Sequence, residues 1–318
     1  MSPLEAVTSR PAAPRPAARP RLTGAQGGAL MAMGAMSSVQ LGLALSVPLF
    51  AQLGAVGTAG LRLAWAGVLV LLLVRPRPRD FARRDLLACA LLGLVTAGMV
   101  MLFMLSAARI PLGTASALEF LGPLSISLLR PGGGRKHWAA LAAAGVVLLT
   151  EPWHGGIDPA GLGFALGAAV CWAGYILLTQ RVGDQVTGLK GLAVSLPVAG
   201  VVATLVAAPS ELGRATWPLV FVMLGLAALS TVLPFTLEFL ALRRLTAGAF
   251  GTLMSLEPAI ALVMGVLVLG QVPGPAPAAG VVLVVIAGAG ATRTGGREAE
   301  TETEAVPDSE VRAPALCA

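Results

Sequence analysis

Four ionisable side chains, Arg62, Glu119, Glu238 and Glu257, stand inside long apolar runs of this sequence. A charge in the middle of a hydrocarbon layer costs on the order of 2.5 to 3.5 kcal/mol on insertion scales, so each calls for a partner or a role. The chemistry they offer is ion pairing and proton exchange. Arg62 and Glu119 match the two ends of a zwitterion, the guanidinium meeting a carboxylate and the carboxylate meeting an ammonium. They equally suit a structural ion pair with one another. Glu257 stands immediately before Pro258, about ten residues into its run, where burial favours the protonated form of a carboxyl group; it is the first candidate for proton coupling. Glu238 is the second, although Arg243, five residues on, offers it a simple surface partner. Trp172 and Tyr175 share another run and can each present an apolar face and one donor to a small solute, or pack as core.

Catalysis finds no footing. There is no phosphate loop, nucleotide fingerprint or nucleophile with its base, so the chain reads as a non-enzyme without catalytic residues. His137 and His154 are isolated, and Cys89, Cys171 and Cys317 lack ligand spacing. Neither a metal, a cofactor nor a disulfide is expected.

The elements that must position these residues follow from composition. Of 318 residues, 56% are hydrophobic and 12% charged, against about a quarter charged in soluble domains. Roughly 20 apolar residues are needed for a helix to cross about 30 Å of hydrocarbon. Ten such runs occupy 27–46, 56–74, 86–107, 111–129, 137–150, 159–179, 191–208, 216–239, 247–268 and 274–291. They are continuous and rich in Leu, Ala, Val and Gly rather than alternating, which favours helices over barrel strands. The fold expected is an all-α polytopic membrane protein, with the fifth span short for a full crossing. Residues 1–26 and 292–318 read as disordered tails around two halves, 27–150 and 159–291. The first run is too long for a cleaved signal peptide. Gly163, Gly167 and Gly174 form a small-residue stripe suited to close helix contact.

The net charge of +6 is scattered between runs rather than gathered on a module that would bind nucleic acid. With the N-terminus cytoplasmic, nineteen Lys and Arg fall on the inner side and only Arg109 and Arg214 on the outer. The positive-inside rule then sets both termini in the cytoplasm. Arg62 and Glu119 both enter from the outer side, at depths of about 9 and 12 Å by helical rise.

Residues 109–123 and 244–258 align at a constant offset of 135, with Arg109/Arg244, Gly113/Gly248, Leu118/Leu253, Leu121/Leu256 and Pro123/Pro258 identical. One copy opens the fourth run and the other the ninth. Five crossings separate them, so the halves face opposite ways, as in the inverted repeats of many secondary transporters. Pro123 and Pro258 each predict a kink that either frees carbonyls toward a cavity or bends the helix for packing.

Ala117–Pro123, Ser230–Phe235, Glu238, Ala241–Arg244 and Phe250–Ala259 together resemble the EamA family of the drug/metabolite transporter superfamily, over roughly residues 27–291. Phe250–Ala259 is most similar to the amino-acid-exporting branch found in bacterial inner membranes. The resemblance implies ten helices in two inverted five-helix EamA repeats and a central cavity. It also implies export of threonine- or homoserine-like amino acids from the cytoplasm by proton antiport. Other metabolites or drugs are the alternative cargo, and a non-transporting scaffold the alternative class. The partners implied are a small-molecule substrate, protons and the lipid bilayer; monomer and homodimer both remain open.

Overall fold

The computed structural model describes residues 24–76, 81–129, 135–151, 153, 157–185, 190–207, 211–242, 244–245 and 247–295, and among these every regular element is helical. His154, Arg243, Cys317 and both expected tails up to residue 23 and from 296 lie outside the described residues. The helices are α1 (Gly24–Ser46), α2 (Phe50–Val74), α3 (Arg83–Ala107), α4 (Leu112–Glu119), α5 (Leu121–Leu129), α6 (Arg135–Thr150) and α7 (Pro159–Gln185). They continue as α8 (Lys190–Ala207), α9 (Trp217–Ala227), α10 (Leu233–Leu242), α11 (Ala247–Met254), α12 (Glu257–Leu269) and α13 (Pro275–Gly295). Among the described residues, seven helical stretches are long and apolar enough to cross a membrane, and α1 with α2 counts as one stretch of 50 residues. The protein is a multi-pass membrane protein. α6, at 16 residues, falls below that length, matching the short fifth run.

Helices dominate because hydrocarbon offers no water to backbone N–H and C=O groups, which must therefore bond within their own segment. Hydroxyls inside the runs obey the same constraint: Thr58, Thr96 and Ser230 each donate to the carbonyl four residues earlier, at 2.7 Å in all three cases. The exterior carries exposed Leu72, Leu87, Val170, Leu205 and Leu267, a surface suited to lipid tails.

Interhelical contacts cross the chain. α2 runs along α8, α3 along α7, α6 along α13 and α4 along α12, while α1 packs on α10 and α12. The closest approaches use small residues. A Cβ at Gly67 would lie 2.9 Å from Pro197 Cα, and one at Gly200 would lie 2.8 Å from the Leu63 carbonyl oxygen. The stripe on α7 is only partly in contact: Gly167 meets Leu102 of α3 closely at 3.2 Å and Gly174 has ordinary contact with Val95 at 3.6 Å, while Gly163 faces open space.

Three apolar stretches are interrupted, each beside a proline. α4 gives way to α5 at Phe120, where Pro123 cannot donate to Glu119, and α11 gives way to α12 at Ser255 and Leu256, where Pro258 cannot donate to Met254. Both interruptions begin three residues before their proline. The third is a π-helical turn, Ala228–Val232, ahead of Pro234. Leu233 N–H bonds the Ala228 carbonyl there, and in that wider register the donor for Leu229 would be Pro234, which has no N–H. Ser38 of α1 supplies it instead, its hydroxyl donating to the Leu229 oxygen at 2.5 Å. α2 holds a further break at Gly54, with φ of 72°. The Glu211 carboxylate accepts the Gly57 N–H just beyond it, capping the resumed helix.

Candidate functional site

The interruptions and the middles of the long helices enclose a cavity of about 200 Å³. Its wall takes Arg62 from α2, Glu119 from the last position of α4, Trp172 and Tyr175 from α7, and Glu257 from the first position of α12. The two acids thus sit at the two broken helices, one at an end and one at a start. The rest of the lining is apolar except for the hydroxyls of Thr96, Ser195, Ser230 and Thr231.

Arg62 is 8% exposed, and its Nη1 has no hydrogen-bond partner. It lies within electrostatic range of Glu119, and Glu119 in turn lies within range of Glu257. The direct Arg62–Glu119 ion pair anticipated as one reading is not formed; the two face the same space without closing on one another. Both residues line the cavity, and the Arg62 Nη1 is left without a hydrogen-bond partner. Glu257 Oε1 accepts a hydrogen bond from Gln40 Nε2 at 3.1 Å.

Trp172 meets Phe120 edge to face, with ring centroids 6.1 Å apart at 74°, so the indole braces the broken end of α4 while forming cavity wall. Glu238 is not part of that wall. It stands on α10 within electrostatic range of Glu257 and Tyr175. Pro258 is buried at the start of α12, and Pro123 is half-buried in α5. His137 is exposed, Cys89 buried and Cys171 half-buried, and no cluster of metal-ligating side chains occurs among the described residues.

Sequence reasoning passed over Gln40 and the hydroxyls of the π turn. Gln40 is the single amide side chain in the run 27–46, a signal as legible as a lone charge. Ser230 and Thr231 carry no such signal, since a hydroxyl in a membrane helix is commonly satisfied by its own backbone.

A second space of about 440 Å³ opens where α1, α2, α3 and α4 end or begin, lined by Phe50, Arg109 and Gln271 among others. Arg109 is held there by Asp158 at 3.5 Å and by the ring of Phe164, 5.1 Å from its centroid. Gln271 Oε1 accepts the Leu112 N–H at 2.9 Å, tying the end of α12 to the start of α4.

Residues 159–292 match the model of the EamA-like transporter family. The chain is 40% identical over 247 residues to the threonine/homoserine exporter RhtA of Salmonella typhimurium strain LT2, covering 74% of this chain and 81% of that one. The chain belongs to the EamA-like transporter family. The threonine/homoserine exporter RhtA of Escherichia coli strain K12 is 39% identical over 254 residues, 76% of this EamA-like chain and 83% of its relative. A protein of known crystal structure shares the EamA-like chain's fold, with a TM-score of 0.58, 18% identity, and coverage of 84% of this chain and 96% of the other.

Proposed function

We propose that this protein is a secondary transporter that exports small amino acids of the threonine and homoserine kind from the cytoplasm, by proton antiport and alternating access. The observation that carries the reading is the cavity itself: a cation and two carboxyl groups converge on one small space inside an otherwise apolar bundle. Side chains so costly to bury mark substrate and ion paths in membrane proteins. Arg62 takes the cargo carboxylate, Glu119 its ammonium, and Trp172 and Tyr175 bound its apolar part. Glu257 carries the proton, with Glu238 influencing it from behind the wall. A cavity of about 200 Å³ is below the roughly 300 to 1,000 Å³ of drug-sized sites, which favours a single small amino acid over bulkier metabolites or drugs. The relatives' names, threonine/homoserine exporter, agree with that cargo.

The scaffold for this cycle is ten crossings in two inverted five-helix halves, 27–150 and 159–291, in a cell inner membrane with both termini cytoplasmic. The pairing of helix interruptions at Phe120 and Ser255, 135 positions apart, supports it, as does the surplus of basic residues in the alternate connections. Pro123 and Pro258 then serve as matched hinges of opposed orientation around the cavity.

Purified protein in proteoliposomes tests the reading. Labelled threonine should move against an imposed proton gradient, unlabelled homoserine should compete, and each cargo molecule moved should be accompanied by proton flux in the opposite direction. Liposomes that carry folded protein yet move neither threonine nor protons would sink it.

A further inference from the structure

Behind Glu257 lies a polar side chain, Gln40, to which the transport cycle above gives no part. Gln40 of α1 is 2% exposed and sits between α1 and the start of α12. Its Nε2 donates to Glu257 Oε1 at 3.1 Å, while its own Oε1 is buried without a hydrogen-bond partner. A buried acceptor left unmade is costly, and native interiors rarely keep one without reason.

The chemistry of the two groups supplies the reason. An ionised carboxylate brings acceptors only, so it can satisfy the amide N–H but never the amide oxygen. A protonated carboxyl group brings one O–H donor. A primary amide and a carboxylic acid placed face to face then close a ring with two hydrogen bonds: N–H to the carboxyl oxygen, and acid O–H to the amide oxygen. The N–H arm is present here, and the amide oxygen awaits the other.

We infer that Gln40 is a positioning residue that holds the proton-loaded form of Glu257 in a two-armed amide–acid ring, and that one arm opens when the proton leaves. The inference rests on the reading of Glu257 as the proton carrier. A proton from cavity water bonds to the free oxygen of Glu257, whose O–H turns to Gln40 Oε1. On release the proton returns to cavity water and the carboxylate keeps the N–H arm. Glu257 therefore gains and loses charge without swinging from its place on the wall, and its charge is shown to cargo only when the proton is gone.

Other charged groups surround the pair but cannot replace the amide. Glu119 faces Glu257 from α4 and Glu238 from α10, and Arg62 of α2 lines the same cavity. Among the helices that pack directly on α12, α1 carries no titratable residue and α13 carries only Arg293, in its last turn. Each acid alters the field at Glu257, yet neither gives a donor to Gln40 Oε1. Methionine at this position fills similar volume with no arm, and asparagine is one methylene too short to reach.

Infrared difference spectra of the full chain in lipid, taken between acid and alkaline pH, test the ring directly, and export measurements test its consequence. Glu257→Gln identifies the carboxylic C=O band of Glu257. In Gln40→Met that band should move to higher wavenumber, and the pH of half-maximal export should shift by about one unit, the size expected for one hydrogen bond to an ionisable group. Should Gln40→Met fail to fold, Gln40→Asn reads the same band. The reciprocal exchange, Gln40→Glu with Glu257→Gln, keeps the ring and should keep thermal stability, but it withdraws the carboxyl group from the cavity and should abolish coupled export. A Glu257 band that stays in place without the amide, or coupled export by the exchanged pair, overturns the inference. Failure of the underlying reading looks different: Glu257→Gln would then export with unaltered pH dependence.

Discussion

Gly145 and Gly280 fill one another's missing side chains. A Cβ on Gly145 would lie 3.0 Å from the Gly280 carbonyl oxygen, and a Cβ on Gly280 would lie 2.8 Å from the Gly145 oxygen. The flanking contacts repeat the exchange, since Gly145 meets Val284 at 2.9 Å and Gly280 meets Leu149 at 2.8 Å. Residues 145 and 149 become 280 and 284 under the same shift of 135 that relates Pro123 to Pro258. Reciprocity of this kind is what an isologous contact about a twofold axis requires. It recurs at the other seam: Gly67 meets the Leu196 oxygen at 3.1 Å and Gly200 meets the Leu63 oxygen at 2.8 Å. These contacts give the proposed inverted halves a packing basis independent of sequence identity.

If the halves meet this way, equal damage to either side should have equal effect. Gly145→Leu and Gly280→Leu each force a side chain against backbone oxygen, which does not yield. Each should lower stability by about 1 to 3 kcal/mol, read as thermal unfolding in detergent. Gly163→Ala, facing open space, should instead be neutral or gain up to about 1 kcal/mol from helix propensity. A large loss for only one of the leucine variants would argue against the paired seam.

If Arg62 takes the cargo carboxylate as proposed, its binding role comes at the expense of stability. Its Nη1 is buried and unpartnered and Glu119 acts on it without forming an ion pair, so removing the charge relieves a desolvation cost that is only partly offset. Arg62→Met should therefore unfold at a higher temperature than the unaltered chain while its affinity for threonine falls by about 10- to 100-fold, the range of a charge-assisted hydrogen bond. Glu119→Gln should weaken cargo binding similarly. Labelled threonine binding beside thermal unfolding checks both halves of the statement, and a folded Arg62→Met protein with undiminished affinity would remove Arg62 from the site.

The helices were legible because lipid enforces a simple rule. Each continuous apolar run coincides within a few residues with a helical stretch, α2 starting earliest against its run at Phe50 rather than residue 56. The ionisable wall residues were legible for the complementary reason: a lone charge in such a run stands out. The contacts between distant runs were not. Gln40 and Glu257 are separated by 217 positions, and no periodicity within either helix states that their side chains meet. The α7 glycine stripe was legible as a smooth face but its partner was not: Gly167 and Gly174 come against Leu102 and Val95 of α3 while Gly163 faces open space, and spacing alone does not say which. The π turn ahead of Pro234 was not legible, because a proline in a helix does not state how the register before it adjusts.

Glu257 and Glu238 should separate in their effects on coupling. Glu257 lines the cavity, whereas Glu238 stands outside the lining and acts on it through the field it exerts on Glu257 and Tyr175. Glu257→Gln should abolish proton-driven efflux and its pH dependence while sparing threonine exchange between the two sides of a vesicle. Glu238→Gln should retain coupled efflux with a displaced pH profile. Proton flux recorded together with threonine flux distinguishes the two, and an uncoupled Glu238→Gln protein would move the carrier role onto α10.

Ser38 gives a test of the π turn itself. The Leu229 carbonyl cannot receive a backbone donor, because Leu233 bonds Ala228 and Pro234 has no N–H; the Ser38 hydroxyl is what satisfies it. Ser38→Ala strips that donor in a place water does not reach easily, and an orphaned buried carbonyl costs about 1 to 3 kcal/mol. Pro234→Ala alone would restore an N–H and let the segment tighten or bond Leu229 directly, so Ser38→Ala should be much less harmful in a Pro234→Ala background. The double-mutant cycle, measured by thermal unfolding, should give a coupling of at least about 1 kcal/mol. Additive losses would mean that the Ser38 hydroxyl and the missing proline N–H do not act on the same oxygen, and the account of why α9 widens before the cavity would fall with them.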